Sequence, residues 1–459
     1  MKHIVVIGAG LGGLEVAYLC AKRGDKVTVF ERGLQPGGCL QTFCRDGQVF
    51  ETGFHIVGGL TKGSILYHRF ADLDMLDLPW QEVGCQEVFL GENHYSLPCG
   101  EKAFQRALND YFPQSEQEIA AYMSEIREIA LSSAETAVHY WKQSAYEWLS
   151  RTISNPQLQQ LLASTSLLME MDKDSLSLFE YAEIMYGFVC SVYRLNGGGK
   201  TLVNHLVSGI RHMGGEVLCN RSVIGLLEHE RQVIGVQLES GETMDADEVV
   251  SSLHPALTMS LLADNTMMRS VYRRRLSELK NTQGIFTVNI RLRKDVLQTS
   301  ACPVYVHREN SNCWQTTGTS VDHVMLYFYS NGEALDILTP LAWSKVSSWQ
   351  GTRQGHRGEN YLHLKHSLAE ECVSLACKVE PQLRDAIIEY WTSTPLSWTS
   401  YTASPEGAAF GTRKDYHAID TSLLSPRTPL NGLFLTGQSL ALHGIMGTTM
   451  AAFETMKYL

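Results

Sequence analysis

The residues best placed to do chemistry open the chain. Gly8-Ala9-Gly10-Leu11-Gly12-Gly13 follows the apolar run HIVVI at positions 3–7 without a break. Gly8 permits a tight turn, Gly10 lets backbone N–H groups approach a diphosphate, and Gly13 allows a helix to pack closely on a strand. The N-terminus of the helix that follows favours anionic charge. Glu31, with Arg32 beside it, ends a second apolar run, KVTVF at 26–30, with seventeen residues between it and Gly13. A carboxylate there accepts hydrogen bonds from ribose hydroxyls and repels a 2′-phosphate. Glycine turn, helix start and acidic residue in this register specify a dinucleotide site, which a lone glycine motif would not.

The elements that must hold these residues can be read around them. HIVVI is a short β-branched strand of the kind buried on both faces. The stretch LEVAYLCAKRG carries Leu14, Ala17, Tyr18 and Ala21 at helical spacing and stops at Gly24. With KVTVF it makes a βαβ unit. Strand, glycine loop and helix recur at the far end as Leu433-Phe434-Leu435, Thr436-Gly437-Gln438, and Gly444-Ile445-Met446-Gly447-Thr448 leading into an apolar helix.

Two further segments, Pro36-Gly37-Gly38-Cys39 and Phe50-Glu51-Thr52-Gly53-Phe54-His55, bring more backbone freedom and a titratable ring. The first resembles the glycine-doublet segment of the flavin family that includes amine oxidases and phytoene desaturases, with Cys39 where Arg is usual. The second resembles the segment that runs beside the flavin, and its Gly-x-His pairing is closest to the retinol saturase and carotenoid isomerase branch. The far-end loop is similar to the closing flavin motif, where a helix start stabilises charge on the reduced ring. The stretch from Tyr401 to Gly411 resembles the segment that precedes it. By its order of motifs, the whole chain resembles the phytoene desaturase superfamily.

That resemblance implies an α/β fold: a Rossmann-type FAD-binding domain of glutathione-reductase-like, amine-oxidase type with an inserted α+β substrate domain. It implies FAD contacts from Gly8, Gly10, Leu11, Gly12, Gly13, Glu31, Arg32, Gly37, Gly38, Cys39, Thr52, Gly53, His55, Gly437, Gln438, Gly447 and Thr448, and backbone contacts to adenine from Val223. It also implies a hydrophobic polyene or isoprenoid-like substrate whose carbon–carbon bonds are reduced, formed or isomerised by hydride transfer at flavin N5. An electron donor or acceptor and a peripheral contact with a membrane surface go with it. Two other readings share the architecture: an amine-oxidase-like flavoenzyme, and a flavin-free prenyl-binding escort resembling the GDP-dissociation inhibitors.

A flavin needs little from the protein beyond orientation and one proton. His55 is the candidate for that catalytic proton, since imidazole titrates near neutral pH. His443 is the second, its simpler role being a hydrogen bond at the helix entry. NGGGKTL at 196–202 lacks the spacing of a nucleotide-triphosphate loop and resembles the family's segment where the chain re-enters the FAD domain.

The 459 residues exceed the roughly 250–300 at which single cores stop growing, so more than one core is expected. The FAD domain is expected from 1–69, 196–261 and 411–459. The substrate domain is expected from 70–195, a helical cap, and 262–410, an antiparallel sheet. Its segment 167–194, rich in Met and aromatics, suits a pocket wall, although such residues at helical spacing more often form a plain core, so none of them is given a role. The net charge of −11 removes the term on which nucleic-acid binding rests. No window approaches a membrane span, and no export signal opens the chain, so a cytoplasmic location is expected, peripheral to the membrane. Eleven cysteines without a C-x-x-C pair read as reduced thiols, and no set of Cys and His at a standard spacing predicts a metal site.

Overall fold

Five short apolar runs from distant parts of the chain pair into one parallel sheet in the computed structural model, which describes residues 1–165, 167–294, 296–297, 301–315 and 318–459. The order is Glu216–Leu218, Lys26–Phe30, His3–Ile7, Glu248–Ser251, Leu433–Leu435, with every pairing parallel. Alternation assigns the two faces. Ile4, Val6, Val27, Val29 and Val250 pack with the helices Leu11–Arg23, Gly198–His212 and Gly444–Met456. Val5, Ile7, Val249 and Leu433 pack on the other face against Leu226, Val233 and Val236 of a small antiparallel sheet. Both faces are covered, which is why these strands read as continuous apolar runs. The fold is of the Rossmann type with an inserted α+β region.

The second large sheet has seven strands, in the order Ile387–Ser393, Gly284–Leu292, Ala334–Leu341, His323–Phe328, Val304–His307, Cys85–Leu90, Asn93–Pro98. One face buries Phe286, Val288, Val306 and Leu326 against the helix Glu359–Ala376. The other carries Ile285, Tyr305, Met325 and Leu338 and packs under a layer of helices between 101 and 190.

Two expectations are corrected here. Segment 70–195 is not helical throughout, because its hairpin Cys85–Leu90 and Asn93–Pro98 extends the sheet floor, pairing in parallel with Val304–His307. Nor are all the thiols reduced: Cys85 and Cys302 form a disulfide. The two lie 217 residues apart and meet only when those strands pair, so sequence spacing held no sign of it.

Candidate active site

The parallel sheet ends in a cleft of about 530 Å³, open where ligands of doubly wound folds bind, at the carboxyl ends of the strands. Ile7, Phe30, Ser252 and Thr436 mark four of those ends on its wall. The glycine segments meet there. The Gly37 N–H donates to the Ala9 carbonyl at 2.7 Å, and Gly10 and Gly37 form a β-bridge. A Cβ on Gly38 would lie 3.1 Å from Gly10 Cα, and one on Gly12 would lie 3.0 Å from Gly437 Cα. Turns drawn from the beginning and end of the chain are therefore in contact, at a closeness that glycine alone allows.

The cleft has the features an anionic dinucleotide needs. Gly8 adopts φ +93°, the left-handed turn expected of it. Gly10 caps the helix Leu11–Arg23 with extended backbone, no side-chain cap and no acidic residue in the first turn, so the N–H groups remain open to an anion. A Cβ on Gly10 would meet nothing within 4 Å, which places its backbone against open cleft. Glu31 is buried, and its carboxylate accepts from Ala9 N at 2.9 Å and Gly33 N at 2.7 Å, which fixes its orientation. The start of the helix Gly444–Met456 closes the opposite wall.

Of the residues expected at the cofactor, Gly8, Gly10, Leu11, Gly12, Glu31, Arg32, Gly37, Gly38, Cys39, Gly53, His55, Val223, Gly437, Gln438, Gly447 and Thr448 all line this cleft. Gly13 and Thr52 do not. Gly13 instead packs helix on strand, since a Cβ there would stand 2.2 Å from the Gly8 carbonyl oxygen, while Thr52 N–H donates to the Gln41 carbonyl. Burial pushes the Cys39 thiol up to about 11, so it supplies no charge in place of the usual Arg. The helix start within NGGGK takes the Glu51 carboxyl: Gly199 N–H donates to Glu51 Oε2 at 3.1 Å. No phosphate is needed to satisfy it.

His55 is buried on the cleft wall and is oriented by the second sheet. Its Nε2 lies 3.1 Å from Asp336 Oδ2, and its ring meets Tyr327 edge-on at 4.7 Å. Asp336 is wholly buried and also accepts from Asn289, its cross-strand partner, and from the Tyr329 hydroxyl. His443 has both ring nitrogens engaged, Nε2 donating to the Leu168 carbonyl at 2.9 Å and Nδ1 standing 3.3 Å from Glu180.

Beyond His55 the cleft turns apolar. Leu167, Leu168, Ile184, Phe188, Ile285, Met325 and Leu338 form its inner wall, where the helix Leu178–Cys190 faces the second sheet. Glu183 stands among them with Oε2 buried and without a hydrogen-bond partner. Desolvation pushes its carboxyl up to about 7, so much of it is protonated near neutral pH. The segment was readable as a pocket wall or a core, with no role for any single residue in it. The one available signal was a carboxylate on the apolar side of a helix, which periodicity alone does not separate from a solvated face.

The profile of flavin containing amine oxidoreductases matches residues 11–454. All-trans-retinol 13,14-reductase from Homo sapiens is 24% identical, over 98% of this chain and 84% of its own length. Prolycopene isomerase from the chloroplast of Daucus carota is 23% identical over 95% and 76% respectively. The solved structure of an oxidoreductase from Methanosarcina mazei superposes with a TM-score of 0.70, at 17% identity, over 99% of this chain and all of that one.

Proposed function

The chain belongs to the flavin containing amine oxidoreductase family and is an FAD-dependent oxidoreductase; from that premise we propose that its substrate is a hydrophobic polyene, whose carbon–carbon bonds it saturates, desaturates or isomerises. One observation carries this reading: the cleft runs from the glycine turns into a wall of aliphatic and aromatic side chains. Such a wall buries an extended apolar chain and excludes water, and it offers few groups to pair a charged substrate. The retinol 13,14-reductase and prolycopene isomerase relatives support it.

Bound FAD supplies hydride transfer at N5. The residues proposed to hold it are the lining members of the three glycine segments, with Glu31 toward the ribose, Val223 toward the adenine and the start of the helix Gly444–Met456 toward the ring. His55 handles the proton. Its imidazole is fixed by Asp336 through Nε2, which leaves Nδ1 for exchange with substrate or water. Glu183 anchors the substrate's polar end, its Oε2 being buried in the apolar wall without a hydrogen-bond partner.

Steady-state kinetics on a polyene separate these roles. His55→Gln should lower kcat by about 10²–10⁴-fold. Glu183→Leu should raise KM with little change in kcat, and Glu183→Gln should restore it. An unchanged kcat in His55→Gln would remove the histidine from the reaction.

A further inference from the structure

Two histidines from adjacent strands and a cysteine from the loop between them meet beneath the helical layer. His307 ends the strand Val304–His307, His323 begins His323–Phe328, and the antiparallel register sets them directly opposite. Alternation sends both rings to the face that carries Tyr305 and Met325. His307 Nδ1 is 2.6 Å from His323 Nδ1 and 3.4 Å from Cys313 Sγ, and the three ligand atoms lie within 4.8 Å of one another. All three side chains are buried.

The far side of the His307 ring is tied as well. Its Nε2 stands 2.8 Å from the Ser164 carbonyl oxygen, which can only accept, so Nε2 carries the proton and Nδ1 presents its lone pair to His323 and Cys313. An imidazole that donates its outer N–H to a backbone carbonyl while aiming the other nitrogen inward is the arrangement found around bound metals.

We propose that His307, His323 and Cys313 bind a borderline-soft divalent cation of the zinc class, through two Nδ1 nitrogens and one thiolate. Nitrogen and sulfur donors select such an ion over magnesium or calcium. On binding, the Cys313 S–H bond breaks, a metal–sulfur bond forms and one proton leaves to solvent, with no change of oxidation state. Metal–nitrogen bonds of about 2.0–2.1 Å in a tetrahedral site set the two nitrogens about 3.3 Å apart. The rings therefore need to part by less than about 1 Å, which side-chain rotation supplies.

The ion would act as a clamp. It would join the loop between the two strands to the sheet and, through Ser164, to the chain leading into Leu167 and Leu168 on the cleft wall. Met325, two residues beyond His323 on the same face, lines the cleft too. Spacing does not announce the site, because five residues separate His307 from Cys313 and nine separate Cys313 from His323, outside the common zinc patterns.

The test uses the untagged full chain. Metal content is measured as purified, and chelator-treated protein is then titrated with zinc alone and with cobalt(II) alone as a spectroscopic probe. The expected result is one ion per chain, a thiolate-to-cobalt charge-transfer band in the near ultraviolet, and a thermal midpoint that zinc raises. Cys313→Ser should lose the band, and His323→Gln should weaken zinc binding at least tenfold, each with wild-type circular dichroism. Should a variant fail to fold, the wild-type cobalt spectrum and stoichiometry decide alone. Wild-type protein that binds no zinc, or binds cobalt without a thiolate band, would overturn the proposal.

Discussion

An added Cβ at Gly10 meets no atom within 4 Å, and its φ of −73° and ψ of 173° suit any residue. Gly10→Val should therefore leave the thermal midpoint of the flavin-free protein nearly unchanged while abolishing flavin retention, because the new side chain fills the cleft where a diphosphate would approach. Visible absorbance against protein absorbance checks the second point and calorimetry the first. The neighbouring Gly13 behaves oppositely, since a Cβ there collides with the Gly8 carbonyl and any substitution damages the fold itself. This pair was legible in the sequence because a glycine turn between strand and helix is local chemistry. His55 was legible as a titratable ring, but its partner Asp336 lies 281 residues away, and no spacing announces a contact made through a sheet.

At the scale of elements, the parallel pairing of Cys85–Leu90 with Val304–His307 is stapled by the Cys85–Cys302 disulfide. The bond closes a loop of 217 residues, and removing such a cross-link should lower stability by about 2–4 kcal/mol. Denaturant unfolding of Cys85→Ser/Cys302→Ser, beside wild type with and without reductant, measures it. Coincident midpoints in all three would show that the staple contributes nothing. Strands with β-branched alternation, such as Phe286 to Leu292, were readable as strands. The hairpin at 85–98 was not, because its strands carry polar residues such as Glu87, His94 and Ser96 on one face and lie in a segment dominated by helical periodicity.

The whole molecule stores carboxyl groups in a medium that disfavours their charge. Burial pushes Glu15 and Glu51 up to about 8 each, and Glu15 keeps one oxygen without a hydrogen-bond partner. Because their folded values lie above the unfolded value of about 4.3, the native state binds more protons between the two. Stability should therefore fall as pH rises from about 4.5 to about 8, by up to roughly 1.4 kcal/mol per pH unit per group, and level off above that. Glu15→Gln should flatten the slope in chemical denaturation at a series of pH values; an unaltered slope would place the dependence elsewhere. The cofactor fold was readable across the chain because its strands are short, apolar and punctuated by glycine. The inner cleft was readable only as a Met- and aromatic-rich segment suited to a wall or a core, since Glu183 and its apolar neighbours become a wall only after two insertions pack together. The account turns on that wall accepting a polyene beside the flavin. Its most direct test is an anaerobic titration of the flavin-loaded protein, oxidised and photoreduced, with a conjugated polyene alcohol and separately with primary amines. The polyene's chromophore should change only in protein carrying flavin, while amines leave the flavin spectrum unaltered; bleaching by an amine, with no response to a polyene in either redox state, would show that the cleft takes a different substrate.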